Sequence, residues 1–212
     1  MNDHSEIVGS EQRTVIAVDW AGPFRFYPQM DHPEVFSCPS ARQQNGLYLW
    51  CVPVGKVLYV NYIGKAGRRF IPDRITEDWK YSLSGQDPEF VCPVEFARDR
   101  RHVTGRRGHD YPPFGKLRQE SMHATYRALI CFVASLGSAD DVRLKQCEST
   151  LIRPCQAFDR VQGKFLSNAR TSIRDLLEIA VISRLPGAGR FSCPALPCGA
   201  TILESGQLAS TI

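Results

Sequence analysis

The sequence of 212 residues contains no long hydrophobic run. No stretch approaches the ~20 consecutive apolar residues that a membrane-spanning helix needs. Residues 1–13 are polar, carry charges of both signs and include no apolar segment of the kind found in secretory signal peptides. These absences predict a cytoplasmic protein without a membrane partner.

The sequence also lacks any CxxC pair, although it contains eight cysteines. Such pairs are the usual beginning of a structural zinc site. Cys193 and Cys198 are the only close pair, and they lie in a segment rich in Pro and Gly. Cys51 lies in a predicted strand, and Cys131 and Cys147 lie in predicted helices, where buried free thiols are common. We therefore expect unpaired thiols in a reducing compartment and no structural zinc.

The net charge of +4 is only a weak basic bias, but the basic residues are unevenly distributed. Seven basic residues crowd into positions 98–109, where only Asp99 offsets them: Arg98, Arg100, Arg101, Arg106, Arg107, His102 and His109. Arginines this close repel one another unless water or an anion surrounds them. The segment is therefore either a solvated loop or a contact for the phosphates of a nucleic acid.

Apolar periodicity predicts an α+β domain with a small antiparallel sheet and helices packed beside it. A short apolar strand is expected at 15–20. Strand-like runs at 47–52 and 57–63 enclose Pro53 and Gly55, and this pattern predicts a β-hairpin. Apolar residues at helical spacing predict helices at 74–83, 117–136, 142–152 and 171–185.

The domain organisation follows from composition. The chain divides into an N-terminal extension that is partly flexible (1–45), a main domain (46–170) with an arginine-rich insertion (about 86–115), a C-terminal helix (171–185) and a loose tail rich in Pro, Gly and Cys (186–212).

Two short motifs lie on the predicted hairpin. Gly46-Leu47-Tyr48 belongs to its first strand and Tyr62-Ile63-Gly64 to its second. Lys65 follows directly, and Arg74 lies at the beginning of the next predicted helix. The hairpin therefore places two tyrosines on one small sheet, with two basic residues close behind in the sequence.

Glu148 occupies an apolar stripe of a predicted helix, because Leu144, Glu148 and Leu151 lie at i, i+4 and i+7. A charged side chain on such a stripe is costly unless it is paired or bound to a cation. Magnesium suits a site with one carboxylate, waters and phosphate oxygens. An ion pair with Arg74 or Lys145 would satisfy the carboxylate equally well.

The ordered set of these motifs resembles the GIY-YIG nuclease family over residues 46–170. Gly-Leu-Tyr, Tyr-Ile-Gly-Lys, an arginine, Glu-x-x-Leu-Ile beginning at Glu148, and Asn168 follow one another in that family's order. The resemblance implies a metal-dependent endonuclease that hydrolyses phosphodiester bonds of DNA, with Mg²⁺ or Mn²⁺ as cofactor. It also implies the fold of that family, a hairpin-based sheet flanked by helices.

The resemblance also implies a role for each residue. Tyr48 would act as general base or proton relay, Tyr62 would orient the site, and Arg74 with Lys65 would contact the scissile phosphate. Glu148 would hold the metal ion. Structural roles fall to Gly46, Gly64 and Asn168.

The sequence departs from the family pattern around the arginine. Arg74 comes about two residues later than usual, so Arg68 or Arg69 is an alternative. Asp78 stands where the family usually has His or Tyr, and it would contact either a metal ion or basic side chains.

Two further functions remain open: a catalytically weak nucleic-acid-binding protein on the same fold, with 98–109 as its main contact, and, as a more distant alternative, a zinc-binding adaptor. Cutting both DNA strands with one site would need a second copy or a second binding event.

Overall fold

The computed structural model describes residues 14–26, 34–39, 42, 44–84, 124, 126–137, 139–162, 179–187, 192–197, 199–204 and 210–211. These residues form eight strands, one 3-10 helix and two α-helices. The elements are β1 (Thr14–Asp19), β2 (Ala21–Arg25), the 3-10 helix (Val35–Ser37), β3 (Asn45–Val54), β4 (Val57–Ala66), α1 (Ile71–Ser84), β5 (Ile130–Gly137), α2 (Asp141–Gln162), β6 (Ile179–Leu185), β7 (Gly199–Glu204) and β8 (Ser210–Thr211).

The predicted hairpin is confirmed as β3 and β4, and each strand is longer than predicted. It belongs to an antiparallel sheet with the strand order β2-β5-β3-β4. Gly55 turns the chain with a φ of 61°, a backbone conformation that glycine adopts without steric cost. The prediction of mixed α and β content with an antiparallel sheet is therefore confirmed.

A second sheet has the order β1-β6-β7-β8, in which β1 and β6 run parallel and the other pairs antiparallel. Apolar side chains of β3, β4 and β5 share one buried cluster with α2 and this second sheet. The opposite face of β3 packs with α1 in a separate cluster that contains Tyr48, Trp50, Ile71 and Ile75. The hairpin is therefore covered on both faces, and β3 has almost no exposed residue.

Two predicted helices are wrong over part of their length, although residues 124 and 126–128 are helical as predicted. Residues 130–136, predicted as the end of a helix, belong to β5, and residues 179–185 form β6. A short run that is apolar at nearly every position fits a buried strand as well as a helix, because it has no periodicity. These two runs adopt the strand conformation because each pairs with strands on both sides: β5 lies between β2 and β3, and β6 lies between β1 and β7. Residues 117–123 and 171–178 lie outside the described residues.

The other boundaries also differ from prediction. Helix α2 continues through Pro154, which removes one backbone hydrogen bond, and the next residue, Cys155, is buried in the core. The extension and the tail contribute β1, β2, β7 and β8 to the two sheets. The arginine-rich insertion, from 86 to 115, and Asn168 lie outside the described residues.

Among the described helices, none combines the length and the apolar character needed to cross a membrane. Cys51, Cys131, Cys147 and Cys193 are buried and unpaired.

Candidate active site

Tyr48 and Gly64 are direct partners across the β3–β4 ladder. The ring of Tyr48 lies so close to Gly64 that a Cβ at residue 64 would clash with Cζ, Oη and Cε2 of the tyrosine. A Cβ at Gly46 would clash in the same way with the backbone oxygen of Ala134. The two glycines of the motifs are therefore explained by close approach, of a ring in one case and of a neighbouring strand in the other.

The hydroxyl of Tyr48 is directed at α1, where it donates a hydrogen bond to Oδ2 of Asp78. Tyr48 is fully buried. Burial is the main cause that raises the pKa of Tyr48 well above its ordinary value, and the charges of Tyr62 and Asp78 raise it further. Tyr48 is therefore a neutral phenol at neutral pH, hydrogen-bonded to a carboxylate.

Asp78 is the residue of this site that sequence reasoning left without a definite role. It is only 6% exposed, and its second carboxylate oxygen, Oδ1, lies 2.6 Å from Nη1 of Arg74, one helical turn earlier. The alternative in which Asp78 contacts a basic side chain is confirmed. A signal was present in the sequence, because Asp78 follows Ile75 at i+3 and therefore falls on the buried side of α1.

Tyr62 lies beside Tyr48 on the same face of the hairpin, with ring centroids 5.9 Å apart. Unlike Tyr48, it is partly exposed. Burial raises the pKa of Tyr62 to about 12, and the charges of Asp78 and Glu148 also raise it, whereas Arg74 and a hydrogen bond with Tyr48 lower it. Tyr62 therefore connects the buried phenol with the more open part of the site.

Arg74, rather than Arg69, is the arginine that reaches the tyrosines and Asp78. Its side chain is 31% exposed, and its ion pairs with Glu77 (2.9 Å) and Asp78 both use Nη1. Arg69 is more exposed, at 57%, and pairs with Glu77. The contacts of Arg74 within the described residues therefore leave its Nε and Nη2 groups available to a ligand.

Glu148 lies on α2 between two fully buried leucines, as its spacing predicts. Its carboxylate is partly buried and takes part in no hydrogen bond or ion pair with another described residue. Burial raises the pKa of Glu148 to about 7, although the charges of Lys65 and Arg74 act to lower it. The alternative of an ion pair with Arg74 or Lys145 is not formed in the described part of the chain.

Lys65 joins the end of β4 to the beginning of α2. Its ammonium group donates to Oδ1 of Asp141, the first residue of α2, and this hydrogen bond is the main cause that lowers the pKa of Asp141. Sequence reasoning gave Asp141 no role, and only its position at a helix N-terminus signalled a carboxylate of structural importance. The pair places the charge of Lys65 near Glu148.

The described residues fit a metal site with a single protein ligand. No group of three His, Cys, Asp or Glu side chains lies close enough there to form a complete protein cage for an ion. Magnesium, however, commonly binds through one or two carboxylates and completes its octahedron with waters and substrate phosphates. The carboxylate of Glu148 is partly buried and has no hydrogen-bond or ion-pair partner in the described ranges, and it suits that mode of binding.

The chain was compared with protein-family models, curated proteins and solved structures. No match was found in any of the three. The structure brings Tyr48, Tyr62, Lys65, Arg74 and Glu148 together, whereas the arginines predicted to contact nucleic acid, Arg98, Arg100, Arg101, Arg106 and Arg107, lie outside the described residues.

Proposed function

We propose that the protein is a metal-dependent endonuclease that hydrolyses phosphodiester bonds of DNA through a site of the GIY-YIG type. One observation carries the proposal. The carboxylate of Glu148 on α2, which has no hydrogen-bond or ion-pair partner among the described residues, is electrostatically coupled to Tyr62 and Lys65 on β4 and to Arg74 on α1. A purely structural ion pair would not need this combination of an acid, two cations and a phenol.

The charged residues suit a phosphate ligand. Glu148 is the residue that would hold Mg²⁺ or Mn²⁺, and a bound divalent cation would supply Lewis-acid stabilisation of the charge that develops on the phosphate. Arg74 has two nitrogen groups, Nε and Nη2, outside its ion pairs with Glu77 and Asp78, and a guanidinium edge of this kind binds phosphate oxygens in a bidentate manner. Lys65, whose ammonium group is hydrogen-bonded to Asp141, adds a point charge near Glu148.

The two phenols and Asp78 form a route for a proton. Tyr62 is the phenol nearer to solvent, its ring lies beside that of Tyr48 with centroids 5.9 Å apart, and Tyr48 donates to Asp78. The attacking water would release a proton to the hydroxyl oxygen of Tyr62. Tyr62 would at the same time give its hydroxyl proton to Tyr48, and Tyr48 would give its hydroxyl proton to Asp78. In this scheme Asp78 is the final acceptor, and neither phenol has to ionise fully at neutral pH.

A catalytically weak nucleic-acid-binding protein on the same fold is the second candidate. It is favoured by the complete burial of Tyr48, whose hydroxyl is already hydrogen-bonded to Asp78 at the position where the family usually has His or Tyr. Buried in this way, Tyr48 cannot contact the attacking water directly. The two candidates differ in whether the Tyr62–Tyr48–Asp78 route carries a proton.

The test is nicking of supercoiled plasmid with Mg²⁺ or Mn²⁺, beside EDTA, with wild type, Glu148→Ala and a matched acidic control, Asp19→Asn. Asp19 is an exposed carboxylate on β1, in the other sheet. Nicking that is lost in EDTA and in Glu148→Ala but kept in Asp19→Asn supports the nuclease. Intact plasmid together with a shift of DNA on a native gel would favour the binding protein instead.

A further inference from the structure

The loop between β4 and α1 presents an aromatic side chain and two arginines beside the candidate active site. Phe70 is 44% exposed, one of three large apolar side chains so exposed among the described residues, and Arg68 and Arg69 before it are exposed as well. Among the described residues, no ring contact of Phe70 accounts for its exposed position.

This loop is held in place at both ends. The carbonyl of Gly67 accepts a hydrogen bond from Nδ2 of Asn45 (3.0 Å), and the backbone N–H of Ile71 donates to the carbonyl of Gln44 (3.1 Å). Gly67 also lies directly against Asp141, where a Cβ would clash with Oδ1. The side chains at 68–70 are therefore displayed from a fixed backbone, which lowers the entropy lost when a ligand binds them.

Phe70 is close to the catalytic arginine of the proposed site. The backbone N–H of Arg74 donates to the carbonyl of Phe70 (3.0 Å), so the two residues lie one helical turn apart. A phosphate bound by Arg74 would therefore bring the adjoining nucleotides within reach of Phe70. Aromatic rings beside cations are the combination with which proteins bind unpaired nucleic-acid bases, since the ring stacks on the base and the cations bind the phosphates.

We infer that Phe70 is a stacking platform for an unpaired or unstacked DNA base next to the scissile phosphate, with Arg68 and Arg69 binding the flanking phosphates. This inference rests on the proposed function. It narrows the substrate class to DNA that contains an unpaired or readily unstacked nucleotide, because a fully stacked duplex offers no free base face to the ring.

The experiment measures binding by fluorescence anisotropy in EDTA, which separates binding from cleavage. Two labelled DNAs are compared: a fully paired duplex and the same duplex with an unpaired loop. The variants are Phe70→Ala, Phe70→Trp, which keeps a stacking ring, and Val15→Ala, which removes a similarly exposed apolar side chain on β1 (58% exposed). We expect Phe70→Ala to weaken binding of the looped DNA about tenfold and binding of the paired duplex by less than about twofold. Phe70→Trp and Val15→Ala should bind both DNAs like wild type.

Equal affinities of Phe70→Ala and wild type for the looped DNA would overturn the inference. An equal loss on both DNAs would overturn it as well, because stacking on an unpaired base predicts a difference between them. The plasmid assay separates this result from the proposed function. If wild type nicks the plasmid but Phe70→Ala binds both DNAs like wild type, the stacking inference is wrong and the proposed nuclease function stands. If Phe70→Ala selectively loses affinity for the looped DNA but wild type does not nick the plasmid, the stacking inference stands and the nuclease function is wrong.

Discussion

The hydroxyl of Tyr48 on β3 donates a hydrogen bond to the carboxylate of Asp78 on α1, and both residues are buried. The other oxygen of that carboxylate pairs with Arg74. One buried acid therefore connects the sheet to the helix and the first tyrosine to the arginine. A network of this kind should respond to substitution as a unit.

Tyr48→Phe and Asp78→Asn should each lower the free energy of unfolding by about 1 to 3 kcal/mol, because each leaves a buried polar group without its partner. The double variant should lose less than the sum, with a coupling of about 1 kcal/mol or more. Urea unfolding of the four proteins measures this cycle. As a control, Tyr48→Phe should be additive with Thr76→Val, because Thr76 donates to the carbonyl of Pro72 and shares no partner with Tyr48. Additivity in the first cycle would contradict the network.

Gly64→Ala should destabilise the protein by roughly 1 to 3 kcal/mol, because its Cβ would displace the ring of Tyr48 from the backbone of β4. Thermal unfolding measures the loss, and plasmid nicking should fall with it because the displaced ring no longer reaches Asp78. Gly187→Ala is the matched control, since a Cβ there meets no atom within 4 Å. Equal stabilities of the two variants would show that the ring does not depend on the glycine.

Arg74→Ala should cost about 2 to 3 kcal/mol of unfolding free energy, because the carboxylate of Asp78 loses its cation while it remains buried. Arg69→Ala should cost less than about 1 kcal/mol, since its pair with Glu77 is exposed to solvent. Nicking should be lost in Arg74→Ala and only reduced in Arg69→Ala, because we infer that Arg69 binds a flanking phosphate rather than the scissile one. The reverse pattern of nicking would make Arg69 the arginine that binds the phosphate.

The pKa of Glu148 makes stability depend on pH in a defined direction. Burial raises this pKa from 4.5 to about 7 in the folded chain. Between these values the folded protein binds more protons than the unfolded one, so the free energy of unfolding falls as pH rises through this window. Above pH 7 the metal-free wild type should therefore be less stable than Glu148→Gln, by up to about 3 kcal/mol.

Thermal unfolding of metal-free wild type and Glu148→Gln at several pH values measures this difference. Added Mg²⁺ should stabilise wild type above pH 7, where the carboxylate is charged, and should leave Glu148→Gln unchanged. Parallel pH profiles of the two proteins, with no response to the metal ion in either, would argue against Glu148 as a ligand.

The hairpin and helix α1 could be predicted because their signals are local. Turn residues at Pro53 and Gly55 separate two strand-like runs, and apolar spacing marks the helix. Strands β5 and β6 could not be predicted, because a run that is apolar at nearly every position fits both states. Their strand conformation is decided by neighbouring strands, and β1, the parallel partner of β6, lies far away in the sequence.

In the candidate site, too, features set by neighbouring residues could be predicted, and contacts between distant segments could not. The sequence by itself determined Glu148 as a carboxylate on an apolar stripe and two tyrosines on one hairpin, since helical and strand periods are properties of neighbouring residues. Only the tertiary structure decided that Asp78 accepts from Tyr48 and that Asp141 holds Lys65, because these partners are separated by 30 and 76 residues in the chain. A hydrogen bond between distant segments depends on how the sheet and helices pack, and no local pattern encodes that packing.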